Sequence, residues 1–228
     1  MWSVGSISGS SSDAAAGSLK QLIESMVIVS CSIGISHLAT ETLTQKIVDY
    51  LAGKKYTHTS IWLSDKNPEE DDKALGIVVE YGDYSQEMEC KLQIDNQGNE
   101  IYIKVEKDNV KYPYENRGGM RYYLLNYDEF SEKLGSVAYA DLSVEQENQI
   151  NFKDFMNKCA PLGNEQWNKE KYNYKNHNCQ HFSAYLLNIL RPKYNPKCIT
   201  IKDKSKKEGK RRDDVFPEPV LEVLKTLK

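Results

Sequence analysis

Of the five cysteines in the chain, Cys179 has the setting best suited to nucleophilic chemistry. It lies in KYNYKNHNCQHFSAYLLNIL (171–190), where a polar stretch gives way to apolar residues at helical spacing. Phe182, Tyr185, Leu186 and Ile189 recur at three- and four-residue intervals, which is one face of a helix. Asn176 or Asn178 can cap that helix by accepting hydrogen bonds from its first free amides. Cys179 then falls in or just before the first turn, where unpaired N–H groups and the helix dipole favour negative charge. A thiolate is stabilised there and is a competent nucleophile. Imidazoles flank it at His177 and His181. An isolated cysteine at a helix start is more often just a small buried apolar residue. The chemistry therefore needs a partner from elsewhere in the chain.

That partner comes from KKYTHTSIWL (54–63). Tyr56, His58, Ser60 and Trp62 alternate with Thr57, Thr59, Ile61 and Leu63, and the composition suits a strand. A second β run, GIVVEYGDY (76–84), follows the acidic turn DKNPEEDDK (65–73). His58 and Glu80 are then expected on adjacent antiparallel strands, as cross-strand neighbours within hydrogen-bonding range. A nucleophile at a helix N-terminus, a base on a strand and an orienting acid next to it make a generalised triad. The chemistry it would perform is acyl transfer through a thioester. His58 takes the thiol proton, Cys179 attacks a carbonyl, and the imidazolium protonates the leaving group. The amide of Cys179 would hold the oxyanion with one further donor; His177 and Gln180 are the candidates, with Asn178 as an accessory residue. His181 reads as a packing or capping residue and His37 as structural.

Composition sets the outer limits. A chain of 228 residues is long enough for one medium-sized domain with its own core. Its mean hydropathy of -0.64 and apolar fraction of 39% describe a polar, water-compatible protein without an integral membrane segment. A formal charge of -3 gives no global attraction to nucleic acid or to an anionic membrane, so no nucleic-acid partner is expected. The odd number of cysteines, the lack of any C-x-x-C pair and the lack of a signal peptide point to a reducing, cytoplasmic setting. No metal site is expected, because no cysteine pair has ligand spacing and Cys179 would face away from the His177/His181 pair. No cofactor is implied.

The elements that must position these residues follow in chain order. Residues 1–18, rich in Ser, Gly and Ala, read as a disordered tail. MVIVSCSIGI (26–35) reads as one buried strand and TETLTQKIVDYL (40–51) as a helix ended by Gly53. CKLQI and EIYIKVE alternate around DNQGN, a hairpin signal, and MRYYLLNY (120–127) is a further strand. LSVEQENQINFKDFMNKC (142–159) reads as a helix with Ser143 as cap and Gln146 at the capping-box position. Its core face would be Ile150, Phe152, Phe155 and Met156, and 162–175 reads as a polar loop carrying Trp167. Pro192 and Pro196 stop the Cys179 helix. The basic run 202–212 reads as a solvated linker, with a nuclear-targeting or anionic-partner patch as the sharper alternative. A short amphipathic helix closes the chain.

Together the two blocks resemble the PPPDE family of desumoylating isopeptidase-like proteins, whose pattern is a strand H-T-S/G-I followed by a Y-N-x-x-x-x-N-C-x-x-F helix start. Here these are His58 to Ile61 and Tyr172 to Phe182. Asn178 to Phe182 is also similar to the N-C-x-H-F stretch of the lecithin-retinol acyltransferase-like and NlpC/P60-like groups. The resemblance implies an α+β, circularly permuted papain-like fold, with an antiparallel β-sheet packed against helices, the catalytic Cys at a helix N-terminus and His before Cys in sequence. The two matching blocks make up about a quarter of the chain; the domain they imply would run over 19–200, with the hairpin at 87–120 as an insertion and 201–228 as a basic linker and short C-terminal helix. It implies Cys179 as nucleophile and His58 as base; Glu80 matches the orienting group by position, because that group varies among these families. Three functions are compatible with it. One is a cysteine isopeptidase or peptidase acting on a protein substrate such as a ubiquitin-like conjugate. Another is a lipid acyltransferase or phospholipase acting on an acyl ester. The last is a non-catalytic binding protein.

Overall fold

The computed structural model describes residues 23–37, 57–68, 70–71, 73–82, 89–94, 100–105, 120–173, 175–203 and 212–227. The expected tail at 1–18 and helix at 40–51 lie outside these residues. What is described is mixed α+β, with an antiparallel sheet packed against helices.

The strands are β1 (Val27–Ile28), β2 (Ser30–His37), β3 (Thr57–Ser64), β4 (Leu75–Tyr81), β5 (Glu89–Ile94), β6 (Glu100–Val105), β7 (Met120–Asn126), β8 (Ala138–Ser143), β9 (Ile150–Asn151) and β10 (Ile199–Ile201). Six of them form one sheet in the order β10-β8-β2-β3-β4-β7, and each of its ladders is antiparallel. The hairpin β5–β6 pairs Glu89 with Val105 through Ile94 with Glu100, a register that follows from its two alternating runs. The principal helices are α1 (Phe152–Glu165), α2 (Cys179–Leu190) and α3 (Glu218–Thr226).

Two expectations from the sequence fail on backbone pairing. The single strand over 26–35 is split at Val29. There the Val29 amide bonds the Ser64 carbonyl at 2.9 Å and its own carbonyl accepts from Val144 at 2.8 Å, so the chain changes partners between β1 and β2. The helix over 142–159 starts only at Phe152. Ser143 belongs to β8, lies opposite Ser30, and its carbonyl accepts from the Lys193 amide at 2.8 Å. A ladder that satisfies several buried amides outweighs one local capping signal. The cap that operates is Asn151, whose Oδ1 accepts from the Asp154 amide at 2.8 Å.

Alternation divides the sheet into two faces. Cys31, Ile33, Ile61, Leu63, Ile77 and Val79 stand on one, where the helices pack on them. From α1 come Phe152, Phe155 and Met156; from α2, Phe182, Leu186 and Leu190; from α3, Val220, Leu221 and Leu224. The terminal helix thus joins the same core as the Cys179 helix. Trp62 and Val78 stand on the opposite face, in a smaller cluster with Ala74, Tyr123, Tyr127 and Phe130. Helix α2 ends at Arg191, which adopts the left-handed conformation at φ 44° with its amide on the Leu187 carbonyl; Pro192 then prevents continuation.

Candidate active site

The site forms where the ladder between β3 and β4 stops. That ladder pairs Ile61 with Val79, Trp62 with Val78 and Leu63 with Ile77, although β3 begins at Thr57 and β4 continues to Tyr81. Beyond the last pair the two strands no longer satisfy each other, and the N-terminus of α2 takes up the freed groups. The Thr59 amide donates to the Cys179 sulfur, and the Gln180 side-chain amide donates to the Thr57 carbonyl at 3.2 Å.

Parity places His58, Ser60 and Glu80 on the Trp62/Val78 side of the sheet, whereas α2 packs on the other side. The two halves meet at the open end of the ladder. His58 Nε2 lies 3.1 Å from Glu80 Oε1, and Ser60 Oγ donates to the same oxygen at 2.7 Å. Glu80 is only 1% exposed, so its carboxylate depends on these donors rather than on water. The imidazole is hydrogen-bonded to the Cys179 side chain as well, which makes it the link between acid and sulfur.

The electrostatics of this pair have opposing parts. Burial acts most strongly on His58 and disfavours its charge. The hydrogen bonds to Cys179 and Glu80, with the negative charge of both, overcome it and raise the imidazole well above its usual range. Burial likewise disfavours the Cys179 thiolate. The His58 hydrogen bond and positive charge, then the Thr59 amide and hydroxyl, outweigh it and draw the thiol below its ordinary value. The contrast with the core cysteines is direct, because burial pushes Cys31 and Cys159 upward and keeps them as inert thiols. The same contacts therefore favour the charged form of each partner, thiolate on Cys179 and imidazolium on His58, over what burial alone would allow.

The helix N-terminus is built by Asn178. Its Oδ1 accepts from the Gln180 amide at 2.9 Å and from the His181 amide at 3.4 Å, while its carbonyl takes the Phe182 amide at 3.0 Å. Among the described residues, the amide of Cys179 itself is the first-turn donor left for an incoming group. His181 Nδ1 donates to Asn178 Oδ1 at 3.0 Å and reinforces the cap. His177 stacks on Trp167 at 4.2 Å and 9°, meets the Tyr81 ring edge-on, and bonds the Gln166 carbonyl. Thus Asn178 caps, Gln180 docks the helix on β3, and His177 anchors the preceding loop in an aromatic cluster. His37 faces Asp203, 3.7 Å away.

Three contributors were not evident from the motifs. Ser60 shares the parity of His58, a signal that the strand alternation carried. Thr59 has the opposite parity, and Ser183 sits mid-helix; only the packing of α2 on β3 brings these two together, with Ser183 Oγ donating to Thr59 Oγ1 at 3.0 Å.

Among the described residues, no group of three His, Cys, Asp or Glu side chains is arranged to hold a metal ion. None of their helices is long and apolar enough to cross a membrane. The chain matches no protein-family model, no curated protein and no solved structure, so the functional reading rests on the geometry of the site itself.

Proposed function

We propose that the protein is a thiol hydrolase of the cysteine isopeptidase or peptidase type, built on a circularly permuted papain-like fold. The observation that carries this reading is the continuous row from Ser60 and Glu80 through His58 to Cys179 at a helix N-terminus. A carboxylate, an imidazole and a sulfur in series are what a stored thiolate requires.

In the reaction, the Cys179 thiolate adds to a substrate carbonyl while the Cys179 amide donates to the developing oxyanion. The His58 imidazolium then protonates the leaving amine as the carbon–nitrogen bond breaks, leaving a thioester on Cys179 and a neutral imidazole. Neutral His58 next removes a proton from water, whose oxygen attacks the thioester. The acid product leaves, and the sulfur departs as thiolate with its imidazolium partner restored. Glu80 stays ionised and orients the ring throughout.

The test has two parts. Iodoacetamide labelling of Cys179 is followed against pH in the parent and in His58→Ala. Burial remains in the variant while the charge and hydrogen bond of His58 are lost. The parent inflection is expected well below about 8.5, the value of a free thiol, and the variant inflection at or above it. Identical profiles would sink the reading. Turnover is then measured on ubiquitin-like isopeptide conjugates and on acyl esters, with cleavage of the former expected to disappear in Cys179→Ala.

A further inference from the structure

We propose that Thr59 and Ser183 form a hydroxyl relay that orients and sustains the Cys179 thiolate, which makes both of them positioning residues for the nucleophile. The assignment rests on the reading of Cys179 as that nucleophile.

A hydroxyl has one proton to give. Ser183 Oγ donates to Thr59 Oγ1 at 3.0 Å, which fills an acceptor position on Thr59 and leaves Thr59's own proton directed elsewhere. The receiver is the Cys179 sulfur, which also takes the Thr59 amide. One residue therefore supplies two donors to the sulfur, one from its backbone and one from its side chain.

The placement of Ser183 is the second part of the argument. It lies four residues after Cys179 in α2, where a helical serine ordinarily turns its proton back to the carbonyl one turn earlier. Here it crosses to the strand instead. Both residues are 1% exposed, in a layer otherwise made of Ile61, Phe182 and their apolar neighbours. Valine and alanine would fill those positions without the cost of burying hydroxyls. The chain of donors ends on a group that carries negative charge, and such bonds are roughly twice as strong as neutral ones.

The test follows the labelling inflection of Cys179 in the full chain for the parent, Thr59→Val, Thr59→Ser and Ser183→Ala, with circular dichroism to verify folding. Thr59→Val keeps the shape and the backbone amide but loses the hydroxyl, and its inflection should rise by about one pH unit, since a charged hydrogen bond is lost. Thr59→Ser should return to the parent value. Ser183→Ala should rise by less, because Thr59 keeps its proton but loses its fixed orientation. A low parent inflection unchanged in Thr59→Val overturns the relay alone. An equal rise in Thr59→Ser also overturns it, by assigning the effect to packing. A parent inflection at the ordinary thiol value removes the nucleophile reading and the relay together. Should Thr59→Val fail to fold, Ser183→Ala decides: a profile superimposable on the parent overturns the relay.

Discussion

His58 meets Glu80 through Nε2, 3.1 Å from Oε1, so the ring nitrogen left for Cys179 is Nδ1. The acid thereby selects which nitrogen serves the sulfur, and its charge helps keep the ring protonated. Glu80→Gln retains the size and a hydrogen-bonding oxygen but removes the charge. Less imidazolium means less support for the thiolate, so the Cys179 inflection moves upward. A rise of about one pH unit is expected, equivalent to a tenfold lower labelling rate at any pH below both inflections. A Glu80→Gln profile matching the parent would reduce Glu80 to a packing residue.

Ser60 holds the other side of the same carboxylate oxygen at 2.7 Å. Ser60→Ala removes one donor from a buried acid, which loosens the angle at which the carboxylate holds the His58 ring toward Cys179. A loss of about 1–3 kcal/mol of stability is expected from chemical denaturation. The labelling rate at neutral pH should fall as well, which distinguishes a positioning role from a stability effect elsewhere in the sheet.

Asn178 is the cap of α2, since its side-chain oxygen serves two amides and the His181 ring. Asn178→Ala should destabilise the fold by about 1 kcal/mol, whereas Asn178→Asp should retain most of that stability. Urea denaturation of the two variants reads the difference. Equal destabilisation would mean that the amide nitrogen, not the cap oxygen, is what matters.

Gly76 tests the sheet directly beneath Trp62. A Cβ there would sit 2.2 Å from Trp62 Cε2 and 2.6 Å from the Leu63 carbonyl oxygen. Neither the indole nor the backbone can yield freely, because Trp62 Nε1 is tied to the Leu125 carbonyl at 2.9 Å. Gly76→Ala is expected to cost about 1–3 kcal/mol, which lowers the thermal midpoint by several degrees in a chain of this size. An unchanged midpoint would contradict the close β3–β4 packing.

Helix α3 is bound into the core, with Leu224 fully buried and the Leu227 carbonyl accepting from the Tyr194 amide at 3.3 Å. Leu224→Ala should destabilise by about 2–5 kcal/mol, as a buried leucine truncation does. A loss of only a few tenths, measured in urea, would indicate a terminal helix that is not docked.

The sequence by itself determined the parts of this protein whose signals are local and periodic. Alternation in YTHTSIWL and GIVVEYG fixes two strands and the parity of His58, Ser60 and Glu80, because successive side chains must leave a strand on opposite faces. Asparagine before an apolar helical stripe narrows the start of α2 to Asn176 or Asn178, with Cys179 in or just before its first turn, and the structure selects Asn178. The hairpin β5–β6 was equally legible from its two alternating runs. Tertiary structure decided what local signals cannot encode. At 142–159 the Ser143 cap and Gln146 capping-box signal favoured a helix, but the partners Ser30 and Lys193 claimed Ser143 for the sheet. The early end of the β3–β4 ladder, which frees the Thr59 amide for the sulfur, depends on how α2 packs. The contact between Thr59 and Ser183, 124 residues apart, depends on the same packing. A hydrogen bond has no sequence signature when its two ends are brought together only by the burial of a shared core.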